Sequence, residues 1–152
     1  MLDVMAVTTC ILHGIGRIGC FMAGCCYGKL TDSLLGVVFT NPVCQAEPLN
    51  TLLHPTQLYE ASFIFLILIG LLILKRNRQF EGQLFLIYLM AYAAGRGFLE
   101  IYRGDLSRGF VIEDYLSISQ LISILLIGVA LYFYVKRRNV NLLSPKPKSH
   151  GK

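Results

Sequence analysis

Apolar residues run along this chain in blocks separated by short polar punctuation. Ala61–Leu74 is almost uninterrupted and follows a helix start at Pro55, while Gly82–Tyr102 and Leu116–Val135 are each about 20 residues long. That is the length needed to cross a hydrocarbon core. Leu2–Ala23 is long enough too, but Gly14, Gly16 and Gly19, with Gly24 just beyond, make it a poor continuous helix. The pattern predicts an all-α, polytopic membrane helix bundle: three clear transmembrane helices plus a Gly-rich N-terminal segment that spans or re-enters. Tyr27–Leu53 carries the turn signals Asp32–Ser33, Asn41–Pro42 and Glu47–Pro48, with a short strand expected over Gly36–Thr40.

Composition agrees with the pattern. Of 152 residues 55% are apolar, and the mean hydropathy is +0.59; an ordinary soluble domain is excluded. Lys75, Arg76 and Arg78 follow one block and Lys136, Arg137 and Arg138 another, with Lys146, Lys148 and Lys152 beyond. This side is therefore expected to be cytoplasmic. Asp32, Glu47, Asp105, Glu113 and Asp114 fall in segments assigned to the other face. Topology accounts for the net charge of +5, so no nucleic-acid partner is expected. Met1–Cys10 has no basic start and does not read as a secretory signal. Residues 1–135 are expected to form one membrane domain, and residues 136–152 a basic cytoplasmic tail without fixed structure.

The chemistry sits in Gly14–Lys29, which places a permanent cation, glycines and the thiols Cys20, Cys25 and Cys26 in apolar surroundings. Arg17 in lipid demands compensation. Cys10, His13, Arg17 and Cys20 share one helical stripe, whose plainer reading is packing against neighbouring helices. In His54–Pro55–Thr56–Gln57–Leu58–Tyr59–Glu60, Pro55 suits the first helical position with His54 as the cap. Gln57 and Glu60 then share a face, and the plainer reading of Glu60 is an interfacial carboxylate at a helix N-terminus. Tyr92, Arg96 and Glu100 are spaced four apart, with Arg103 beyond. Arg96 lies roughly 20 Å along the axis from Gly82, near the outer phosphates. Its alternative is an internal Arg96–Glu100 pair that only packs helices. Guanidinium groups match phosphate with paired, charge-assisted hydrogen bonds. The residues alone thus reach an anionic-phospholipid site, held jointly by Arg17 and Arg96, without distinguishing transfer from binding.

Four ordered motifs sharpen this: Gly16–Arg17–Ile18–Gly19–x–Phe21, the His54–Glu60 stretch, Tyr92–x3–Arg96–x3–Glu100, and Leu116–Ser117–Ile118–Ser119–Gln120–Leu121. From Asp3 to Val135 the chain resembles the C-terminal half of the bacterial prolipoprotein diacylglyceryl transferases. The resemblance implies an inner-membrane enzyme that moves diacylglyceryl from phosphatidylglycerol to the lipobox cysteine thiol of a prolipoprotein, releasing glycerol phosphate. It implies catalytic roles for Arg17, Arg96, Glu100 and Tyr92, and substrate binding by Arg17, Arg96, His54, Gln57 and Glu60. It implies no cofactor and no metal; the partners are phosphatidylglycerol or another anionic phospholipid, the prolipoprotein signal peptide, and the membrane. Where the family has asparagine and an acidic residue, this chain has Cys20 and Cys25; the family's tryptophan and arginine positions are Tyr27 and Lys29. The family's N-terminal helices with their His-Gly-Gly motif have no counterpart. The expectation is an N-terminally truncated homologue or one that takes those helices from a partner chain, with the acceptor of the thiol proton unassigned.

The cysteines offer a different function. Cys20, Cys25 and Cys26 would face the oxidising side, where a disulfide with Cys44 could persist. Adjacent Cys25 and Cys26 are a strained pair, and the spacing matches no zinc signature. The alternatives are therefore a membrane thiol–disulfide protein on the same scaffold, or an inactive lipid-binding homologue.

Overall fold

The computed structural model describes residues 1–100, 110–112 and 116–143. The chain runs α1 (Leu2–Ala23), β1 (Val37–Val38), β2 (Leu52–Leu53), α2 (Thr56–Lys75), α3 (Gln83–Leu99), β3 (Phe110–Ile112), β4 (Leu116–Ser117) and α4 (Ile118–Leu143). Among the described residues three helices are long and apolar enough to cross a bilayer: α1, α2 and Ile118–Val140 of α4. The architecture is that of a polytopic helical membrane protein. The block expected to span over 82–102 is helical over the 17 residues of α3. Arg103, Asp105, Glu113, Asp114 and the tail beyond Leu143 lie outside the described residues.

The glycine-rich first segment is one unbroken helix of 22 residues, not the interrupted one its glycines suggest. In apolar surroundings the backbone can satisfy its polar groups only within the helix, which outweighs glycine's weak propensity. The helix stops at Gly24, whose left-handed φ of 70° lets its N–H reach the Cys20 and Phe21 carbonyls. Gly14 serves packing instead: a Cβ there would lie 2.9 Å from Phe65 Cζ on α2.

Ala6 and Cys10 of α1, Ile64 and Leu71 of α2, and Leu84 and Tyr88 of α3 form the core. Cys10 is thus a packing residue. Helix α4 packs against α3, with Gly97 facing Ser123 and Gln83 Nε2 reaching the Tyr134 hydroxyl at 3.3 Å. The Ser123 hydroxyl donates to the Ser119 carbonyl of its own helix at 2.8 Å. A hydroxyl one turn along already has an acceptor in reach. Helix α4 continues through Lys136–Arg138 to Leu143 instead of ending at Val135. Its basic end lies beside the α2–α3 turn, where Phe80 stacks edge-on against Tyr134 at 5.4 Å.

That turn is closed by a residue the sequence reading passed over. Asp3, 5% exposed, accepts the Gly82 N–H at 3.0 Å and the Leu84 N–H at 2.9 Å. The oxygen that accepts Gly82, Oδ2, also takes Arg78 Nη1 at 3.2 Å. Helix α3 has no side-chain cap of its own, so α1 supplies one, with negative charge at the positive end of the helix dipole. Asp3→Ala leaves two buried amides unpaired. A loss on the order of 2–3 kcal/mol is expected, measured by denaturant unfolding in detergent, and Asp3→Asn should recover part of it. An unchanged midpoint for Asp3→Ala would remove the clamp from the account.

Outside the bundle, β1 pairs antiparallel with β2, Val37 opposite Leu53. The strand expected over 36–40 is present over Val37–Val38 alone. Its partner is the pair of leucines leading into the His54 motif, which ties the segment between α1 and α2 to the start of α2.

Candidate functional site

Helix α2 begins one residue later than its proline suggested, with Pro55 at the cap and Thr56 first in the helix. This places two polar side chains of the first turn against the segment that leaves α1. The Thr56 hydroxyl donates to the Cys26 carbonyl at 2.8 Å, and Gln57 Nε2 to the Cys25 carbonyl at 2.6 Å. The backbone of His54 is bracketed as well: its carbonyl accepts the Gly28 N–H at 2.8 Å and its N–H reaches the Lys29 carbonyl at 3.0 Å. These bonds lock the end of α1 to the start of α2, so residues one turn inward on each helix face one another.

One turn inward is Glu60. It is 3% exposed, not interfacial as its position near a helix start suggested. Its Oε1 gathers side chains from two other helices: Arg17 Nη2 at 2.7 Å, the donating Tyr92 hydroxyl at 3.1 Å and His13 Nε2 at 3.7 Å. The His13 and Tyr92 rings meet edge-on at 4.9 Å, and Tyr88 stacks on Tyr92 at 5.9 Å. Three helices therefore meet at one carboxylate oxygen inside an apolar bundle. A buried carboxylate and guanidinium offset each other's desolvation only with close geometry and further hydrogen bonds, and both are present here. A guanidinium carries five donors in a rigid fork, more than one carboxylate oxygen can accept.

One turn beyond Tyr92, Arg96 forms an ion pair with Glu100 at 2.5 Å along α3, the pairing their spacing allowed. Arg17, Glu60 and Tyr92 are thus brought into direct contact. Arg96 and Glu100 stand one and two turns from Tyr92, and Gln57 lies one turn from Glu60 but reaches toward Cys25. His54 is directed elsewhere, with Nδ1 3.3 Å from the Tyr59 hydroxyl. The residue missed was His13. Its signal was present in the four-residue spacing to Arg17, but nothing in the sequence says that Glu60 completes the group.

Beside this nest an open groove of roughly 440 Å³ follows the outer face of α1, lined by Thr9, Leu12, His13, Gly16, Arg17 and Cys20. Cys20 opens onto the same groove as Arg17. Cys25 sits just past the end of α1, beside Cys20 and Cys26. Burial, then hydrogen bonding to Cys20 and the charges of Cys20 and Cys26, pushes it up to about 11, so the protonated form dominates at neutral pH. All five cysteines are free thiols. Cys44 packs over Gly24, whose Cβ would lie 2.8 Å from that of Cys44. Among the described residues no cluster of His, Cys, Asp and Glu has the arrangement to hold a metal ion.

The family model for prolipoprotein diacylglyceryl transferase matches residues 1–136. The chain is 42% identical over 134 residues to the phosphatidylglycerol–prolipoprotein diacylglyceryl transferase of Clostridium tetani, covering 88% of this chain and 52% of that protein. It is 35% identical over 152 residues to phosphatidylglycerol–prolipoprotein diacylglyceryl transferase 2 of Clostridium perfringens, covering 99% and 55%. With the Dehalococcoides mccartyi (strain ATCC BAA-2266) protein of the former name it shares 34% identity over 141 residues, covering 91% and 51%. The chain spans about half the length of these curated relatives. No solved structure matches it.

Proposed function

From the premise that this chain belongs to the prolipoprotein diacylglyceryl transferase family, we propose that it carries the phosphate-binding half of that reaction. The lipid is phosphatidylglycerol and the acceptor a prolipoprotein cysteine. A carbon–sulfur bond forms at the diacylglyceryl carbon as its carbon–oxygen bond to phosphate breaks. Glycerol phosphate leaves with the electron pair, and the thiol proton passes to a base. The location is the bacterial inner membrane, with the basic ends of α2 and α4 toward the cytoplasm, residues 1–135 acting as one domain.

The observation that carries this reading is the convergence of Arg17, Tyr92 and His13 on one buried oxygen of Glu60. An arginine anchored this way is oriented before substrate arrives, and its rigid, always-charged fork matches a phosphate. Arg96, one turn from Tyr92 and steadied by Glu100, contributes the second guanidinium. As the carbon–oxygen bond lengthens, charge accumulates on phosphate, and fixed cations in a water-poor site stabilise that charge more than the ground state. The thiol–disulfide alternative is weakened by Cys25, because an attacking thiol works best with a pKa near ambient pH, far below about 11.

The test is lipid transfer to a reporter prolipoprotein, read by mass in cells depleted of their own transferase. Arg17→Ala and Arg96→Ala should each lower transfer by at least a hundredfold, the scale of losing one charge-stabilising donor. Cys25→Ser should leave it unchanged. The reverse pattern would favour the thiol reading, and a wild-type chain without transfer would leave lipid binding as its role.

A further inference from the structure

At the end of the bundle opposite Gly24, α2 and α3 diverge around a second groove of roughly 390 Å³. Its walls are Ile67, Gly70, Leu71 and Leu74 of α2 with Ile87 and Ala91 of α3, and Asn77 stands at its mouth. Glu60 lies ten residues before Gly70, about 15 Å away along the same helix, so this groove is separate from the nest. A Cβ built on Gly70 meets nothing within 4 Å, so no helix among the described residues fills the space. An apolar groove of this kind stays dry, and left empty it forfeits the dispersion contacts of its walls.

Length and charge identify the occupant. From Ile67 to Asn77 the groove follows ten residues of α2, about 15 Å, which is half of a hydrocarbon core about 30 Å thick. That is the depth of a single leaflet. At the mouth Lys75 and Arg76 are exposed, whereas Arg78 is already committed to Asp3. Glu81, also exposed, follows on the α3 side of the turn and leaves the α2 side cationic. We infer that this groove holds an acyl chain of an anionic diacyl phospholipid, whose headgroup rests on Lys75 and Arg76 at the basic end of the bundle. It is a second lipid site, half a bilayer away from the nest, and it does not depend on transferase activity.

The probe is phosphatidylglycerol carrying a photoactivatable diazirine on one acyl chain, compared with the matching phosphatidylcholine. The whole chain is reconstituted in phosphatidylcholine nanodiscs and adducts are located by mass spectrometry. A surface cation favours an anionic headgroup by about fivefold, so the anionic probe should label the α2–α3 groove on the order of tenfold more strongly. Lys75→Gln with Arg76→Gln should abolish that preference while labelling by the neutral probe persists. Gly70→Leu, entering open space, should remove groove labelling by both probes. Equal labelling by both probes in the parent chain would overturn the inference, as would undiminished labelling of folded Gly70→Leu. So would crosslinks through these positions between two copies of the chain. If Gly70→Leu fails to fold, the exposed double substitution alone decides.

Discussion

Glu60→Ala is expected to be the most damaging single substitution in this chain, in stability and in lipid transfer together. Removing the carboxylate leaves the half-buried Arg17 in an apolar bundle without the oxygen 2.7 Å away that offsets its charge. Stripping one partner from a buried pair costs roughly 3–5 kcal/mol. Tyr92 loses its acceptor at the same time. The replacement pair Arg17→Met with Glu60→Leu separates the two effects. With no charge left to compensate, the double variant should regain most of the parent's resistance to SDS-induced unfolding. Its transfer activity should stay at background, because the phosphate has lost a guanidinium. If Glu60→Ala unfolds at the parent's SDS concentration, Arg17 is compensated by something other than this carboxylate.

Gly95→Ala adds a single methyl where the bundle has no room for it. Gly95 precedes Arg96 and is buried where α2 and α3 touch, and a Cβ there would run directly into the Phe63 ring. The ring must leave its position or the helices must part. Overpacking of this kind costs about 1–3 kcal/mol. Parting the helices would also carry Tyr92 away from Glu60, so transfer should fall further than stability alone explains. Phe63→Val should rescue both properties in the double variant. Gly128, with nothing within 4 Å of its Cβ position, is the control: Gly128→Ala should be neutral or slightly stabilising, as helix propensity dictates. A Gly95→Ala chain as stable and active as the parent would mean that the α2–α3 contact is looser than the geometry indicates.

Much of this was legible in order along the chain, and the exceptions share a cause. The four-residue spacing of Arg96 and Glu100 announced their ion pair, because neighbours on one helix face need no knowledge of the fold. The outer strand was legible in Gly36–Thr40, but not its pairing with Leu52–Leu53, which depends on where the loop returns. Glycine content misled in α1. Propensities measured in water overstate glycine's cost where the backbone has no solvent to bond with, and Gly14 is needed for the ring of Phe65. Asp3 carries no signal along the chain, yet it caps a helix 79 residues away.

What the sequence determined by itself is periodic or local: apolar blocks long enough for a bilayer, the basic collar at one end, and the arginine motifs in their family order. Those follow from hydrophobic length, charge placement and helical spacing. Only the tertiary structure decided that Glu60 is the counter-charge of Arg17, that Tyr92 and His13 share its oxygen, and that Asp3 closes the α2–α3 turn. Such pairings join residues dozens of positions apart, and the distance between two side chains on different helices is set by how those helices pack.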